Sequence, residues 1–158
     1  MGGKPAYVSY ISPSQVNILT PAGISIGDVD VQTRSGALVS SIVTVRSEVV
    51  SPAFFQQGAK YTRATHVDGS LVDPKKPAQP DETIFLYGNG FGGTDPSVIE
   101  GTVVTSPAAI IHPVDIRIGG RPAEISYRAL VDTGLYVFLV KVPAQLATGD
   151  ATVVAQSD

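Results

Sequence analysis

The chain has 158 residues, of which 43% are hydrophobic and only 16% charged, the balance of a folded chain and not of a disordered one. A net charge of −3, with Lys75-Lys76 as the only adjacent basic pair and Asp73-Pro74 and Pro77 around it, excludes the basic stripe of a nucleic-acid binder. The absence of cysteine excludes disulfides, thiolate metal sites and Cys nucleophiles, and no run approaches the ~20 apolar residues of a membrane span.

The 16 Gly and 12 Pro are spread along the whole chain and leave little room for helices, while β-branched residues recur in short runs. Met1 to Pro5 does not read as a signal peptide. With Met1 the only methionine, the sequence reads as a fragment of a larger protein. The first predicted strand places Ala6, Val8 and Tyr10 on one face. A second places Val16, Ile18 and Thr20 on one face, and a third, after the Gly27-Asp28 turn, does so with Val29 and Val31. This period-two alternation marks half-buried strands. A long strand then runs from Ala37 to Val45, with Val43 and Val45 facing away from Thr44 and Arg46. Ser51-Pro52-Ala53-Phe54-Phe55 and a Pro-rich stretch across 59–79 connect to strands at Glu82–Gly92 and Val114–Ile118.

The chain then repeats itself. Residues 2–10, GGKPAYVSY, recur as residues 119–127, GGRPAEISY. Pro21-Ala22 before Gly27-Asp28 recurs as Pro143-Ala144 before Gly149-Asp150, with extra residues in the second copy around Leu130 to Gly134. Ala123, Ile125 and Tyr127 repeat the first strand, Phe138, Val140 and Val142 the second, and Ala151 and Val153 the third. The first copy has nothing before it to match Glu82–Gly92 and Val114–Ile118, and the second stops at Asp158 before any match to Ala37–Val45. Each copy therefore lacks strands. Unpaired strand edges are templates for pairing, so the expectation is replacement by the other unit or by a second chain.

Several motifs carry chemistry elsewhere. Gly88-Asn89-Gly90-Phe91-Gly92-Gly93 fits GxGxxG, but Thr94-Asp95-Pro96-Ser97 follows where a phosphate-binding helix should start, so it reads as a strand-ending turn with Phe91 plugging the end of a sandwich. His66 and His112 are the only histidines, and no HxH, HExxH or GxSxG pattern accompanies them. Asp68, Asp73, Asp81 and Glu82 lack calcium-loop spacing and read as solvated turn residues. Phe54 and Phe55 offer either an exposed platform for sugar or protein or a wedge between two units. The six tyrosines could stack on sugars, although the matching positions of Tyr10 and Tyr127 favour core or rim roles.

Thr83 to Gly92, Val114 to Ala123, and Val142-Pro143-Ala144 with Gly149 resemble the IPT/TIG-type immunoglobulin-like domain. The whole chain is similar to the Solibacter-type uncharacterised C-terminal domain of secreted acidobacterial proteins. The phrases that carry this are, in order, Ser12 to Asn17, Ser51 to Phe55, Asp68-Gly69-Ser70, Pro77 to Glu82, Tyr87 to Gly92, and Gly134-Leu135-Tyr136. That family carries a Gln and an Asn after its second Gly-Leu-Tyr phrase. Here those positions hold Val137 and Leu139, and only the first copy keeps such a pair, Gln15 and Asn17.

The expectation is an all-β chain of two related immunoglobulin-like β-sandwich units, 1–58 and 80–158, joined by a connector at 59–79 and sharing or exchanging strands. The resemblance implies a secreted or cell-surface setting. The expected function is a non-catalytic structural, adhesion or assembly module at the C-terminal end of a larger protein, with a carbohydrate-binding accessory module as the alternative and a hydrolase using His66 or His112 as a third reading. No cofactor or metal is expected. The expected partner is a protein or a cell-surface polysaccharide, with a strand-exchanged homo-oligomer as one form of the first. The candidate binding or interface residues are Gln15, Asn17, Phe54, Phe55 and Tyr136.

Overall fold

The computed structural model describes residues 1–21, 23–98 and 104–157. Ala22 and Asp158, used above in the Pro21-Ala22 match and as the end of the second copy, lie outside the described residues. The regular elements among the described residues are all β-strands, in open sheets of the kind a β-sandwich is built from. The chain divides into two compact units, the first over Met1–Val49 and the second over Val50–Val98 with Val104–Asp158.

In the first unit, β1 (Tyr7–Ser12) and β2 (Gln15–Leu19) form an antiparallel hairpin. β3 (Gly27–Val31) pairs with β6 (Val43–Ser47), and between them β4 (Arg34–Ser35) and β5 (Leu38–Val39) make a small hairpin. The single strand expected over Ala37–Val45 is thus broken. Gly36, at φ +60°, turns the chain back on itself. Ser40 holds the base of that turn: its N–H donates to the Thr33 carbonyl, and its hydroxyl accepts from the Thr33 N–H and donates to the Ser41 carbonyl. These local bonds compete with a continuous ladder.

The faces of β1 also depart from strict alternation. Val8 pairs with Ile18, but the next pair is Tyr10 with Asn17, so Ser9 is an extra residue, a bulge in β1. Directly paired residues share a face. Tyr10 therefore leaves the face of Val8 and joins Tyr7, Gln15 and Asn17, while Val8, Ile11, Val16 and Ile18 form the other face. Strict alternation placed Val8 and Tyr10 together; one extra residue reverses the parity.

In the second unit, the large sheet runs in the order β10 (Ala64–His66), β11 (Thr83–Asn89), β17 (Leu135–Lys141), β16 (Glu124–Asp132), β13 (Ala108–Ile110) and β12 (Thr94–Asp95), with β7 (Ala53–Phe54) also on β11. A smaller sheet runs β15 (Arg121–Pro122), β14 (Val114–Ile118) and β18 (Val153–Ser157), and β8 (Gln56–Gln57) pairs with β9 (Tyr61–Thr62). The residues 59–79 thus contain β9 and β10. Ile84 and Leu86 of β11, Phe138 and Val140 of β17, and Ile116 and Ile118 of β14 belong to one buried cluster drawn from both sheets. Full burial of such side chains stabilises a fold by about 1.5–3 kcal/mol each.

The β16–β17 hairpin repeats the details of β1–β2. Ile125 pairs with Val140 and Tyr127 with Leu139, so Ser126 is the bulge. The Ser9 hydroxyl donates to the Asn17 carbonyl (3.3 Å) and the Ser126 hydroxyl to the Leu139 carbonyl (3.2 Å). Gly2-Gly3 and Gly119-Gly120 all have positive φ, and the N–H groups of Gly2 and Gly119 donate to the carbonyls of Asp30 and Thr152, each at 2.8 Å.

Candidate functional site

The candidate residues fall into two separate groups, one in each unit. Gln15 and Asn17 lie two apart on β2 and therefore point to the same side. The Gln15 Nε2 donates to the Asn17 Oδ1 at 2.6 Å. Tyr7 and Tyr10 share this face and are 43% and 51% exposed, so a solvent-facing surface carries two phenol rings beside a linked amide pair. Each amide keeps unused hydrogen-bonding capacity for a ligand. Tyr10 joins Tyr7 on this face because of the Ser9 bulge, and a doubled residue at that position has no marker in the alternating pattern.

Phe54 and Tyr136 belong to the core of the second unit. Phe54 packs against Phe91 and Phe138, with ring centroids 5.8 and 6.1 Å away. Phe91, completely buried, lies 5.6 Å from Tyr136 and 4.5 Å from Phe138. The rings meet tilted or edge-on, at centroid separations typical of attractive aromatic pairs. The Tyr136 hydroxyl donates to the Gly92 carbonyl at 2.5 Å, and burial pushes its pKa up, so it stays protonated and structural. Gly90 and Gly92, at φ +76° and +84°, let the turn carry Phe91 inward. Phe55 is half-buried and extends the ladder beside β11: its N–H donates to the Tyr87 carbonyl and its carbonyl accepts from Arg63.

His66 is buried, and both ring nitrogens are engaged. Nδ1 bonds the Glu82 carboxylate and Nε2 the Lys76 carbonyl at 3.1 Å. The Glu82 bond, against the opposing cost of burial, raises the His66 pKa. Burial pushes Glu82 up, but His66 and the Gln79 N–H outweigh it and leave Glu82 below its usual value. The ring thus donates from both nitrogens and pins the loop that follows β10. In that loop Lys76 and the hydroxyl and N–H of Ser70 hold the Asp68 carboxyl well below the usual carboxylate range. A histidine with both nitrogens occupied has none left to take a proton from a substrate.

Among the described residues, no three His, Asp or Glu side chains come together as a metal-binding group, and no helix is long and apolar enough to cross a membrane. An open groove in the second unit is lined by Phe54, Lys60, Tyr61, Thr62 and Val154, among others. Its one cation, Lys60, already pairs with Asp150 and lies 4.9 Å from the Tyr61 ring. No family model, curated protein or solved structure matches the chain.

Proposed function

We propose that the chain is a non-catalytic assembly or adhesion module of two immunoglobulin-like units, working at the C-terminal end of a larger secreted or cell-surface protein. The observation that carries this reading is the apolar face of the first unit. Val16 and Ile18 are 41% and 40% exposed, whereas Phe138 and Val140, their sequence matches in the second copy, are 0% exposed. Val8 and Ile11 extend the same exposed face. A contiguous apolar sheet face of this kind is a feature of interaction surfaces. The immunoglobulin-like resemblance and the matching bulges support the domain reading, and the closed His66 clamp argues against a hydrolase that uses His66.

The test is binding of an environment-sensitive apolar dye to the native chain. The expected result is strong fluorescence that the double variant Val16→Ser, Ile18→Ser abolishes while the melting temperature stays the same. A native chain that leaves the dye dark would overturn the reading.

A carbohydrate-binding role is the second reading, favoured by the opposite face of the same hairpin. Tyr7 and Tyr10 would supply stacking surfaces, and Gln15 and Asn17 would bond sugar hydroxyls. A ligand at 100 times its dissociation constant stabilises by about 2.7 kcal/mol, enough to detect as a thermal shift. A shift with one polysaccharide class that Tyr10→Ala removes would support this reading; a flat panel would reject it.

A further inference from the structure

The first unit has a hairpin edge for which the second unit supplies a worked counterpart. Among the described residues, β2 pairs only with β1. Its counterpart β17 has β16 on one side and β11 on the other. On that second side Ile84 stands opposite Val140 and Leu86 opposite Phe138, and all four are buried. Phe85 and Tyr87, which point to the other face, stand opposite Leu139 and Val137. In β2 the positions of Val140 and Phe138 are held by Ile18 and Val16, and those of Leu139 and Val137 by Asn17 and Gln15.

We propose that the edge of β2 away from β1, which pairs with no strand among the described residues, is a strand-acceptor site. Its occupant is an extended peptide segment antiparallel to β2, with apolar side chains opposite Ile18 and Val16 and polar side chains opposite Asn17 and Gln15. This deepens the assembly reading and rests on it. The unpaired N–H and C=O groups of an edge supply main-chain affinity, and the alternating side chains set the register. The apolar half of the pattern is the one β11 presents to β17. The polar half is the departure: Phe85 and Tyr87 suit Leu139 and Val137, whereas an amide pair calls for hydroxyl or amide partners. A phenylalanine placed as Phe85 is would cover Asn17 with a ring that cannot bond its amide. The site therefore selects a strand different from β11.

The experiment uses the full chain and a synthetic peptide with the sequence Thr83–Asn89 carrying Phe85→Thr and Tyr87→Thr. The control peptide has the same residues with the alternation shifted by one position, which turns its apolar set to the wrong face. Hydrogen exchange of the β2 amides is followed by NMR. With the peptide at about ten times its dissociation constant, exchange of the amides directed away from β1 slows about tenfold, and the control has no effect. No slowing, or equal slowing by both peptides, overturns the proposal. Slowing that depends on protein concentration without peptide also overturns it, because a second copy is then the occupant. Dye binding that persists while the peptide fails leaves the assembly reading standing, and loss of both removes the two together.

Discussion

Gly90 lies so close to Ser51 that a Cβ on Gly90 would stand 1.9 Å from the Ser51 carbonyl oxygen. The same pair is joined by a hydrogen bond from the Ser51 N–H to the Gly90 carbonyl at 2.8 Å. This approach brings the chain before β7 against the turn after β11, and the turn carries Phe91 into the aromatic cluster.

Gly90→Ala is therefore expected to be among the most damaging single changes. The left-handed backbone alone costs about 1–2 kcal/mol for a residue with a Cβ, and the Ser51 carbonyl is backbone and cannot swing aside. Scanning calorimetry should show a fall in the melting temperature of several degrees, at about 2–4 °C per kcal/mol for a chain of this size. An unchanged melting temperature would mean that this approach does not exist in solution.

Phe138 and Val16 match in sequence but not in burial, and stability should separate them. Phe138→Ala removes a completely buried ring and is expected to cost about 3–5 kcal/mol. Val16→Ala removes a half-exposed side chain and should cost well under that, about 0.5 kcal/mol. Urea unfolding of each variant checks the contrast. Equal costs would show that the apolar face of the first unit is covered in solution.

The clamp between His66 and Glu82 predicts a pH dependence. His66 has a raised pKa in the fold, so its contribution is complete below the unfolded value of about 6.5 and is lost as pH rises through the folded value. Glu82 has a lowered pKa, so its contribution is present above about 4.5 and is lost as pH falls through its folded value. The clamp is therefore strongest between these values, in mildly acidic solution. Titrating the His66 ring by NMR should give a pKa above that of a free histidine, and Glu82→Gln should lower it. A His66 pKa at or below 6.5 would contradict the clamp.

Much of the architecture was legible because its signals are local. The expected strands around Ile84, Leu86, Phe138 and Val140 exist, and Val114–Ile118 is β14 with its expected bounds. The Phe91 turn could be read from its glycines, since only residues without a Cβ reach positive φ at little cost. The face of Tyr10 is not legible in the alternating pattern, which counts every residue although Ser9 is one too many. Nothing in the spacing of Phe54 and Phe91 announced that they touch. Nor did His66 and Glu82, sixteen residues apart in the chain, signal a shared bond.

By itself the sequence determined the all-β class, the strands around Ile84, Val114 and Phe138 and the matching of the two copies, because alternation, glycine placement and repeated phrases act over a few neighbouring residues. Only the tertiary structure decided which matched residues are buried. Val16 and Phe138 obey the same local pattern, yet burial depends on the strand that arrives alongside, and β11 stands beside β17. It also decided that Tyr7, Tyr10, Gln15 and Asn17 share a face, because a bulge is fixed by cross-strand pairing and not by the residues of one strand.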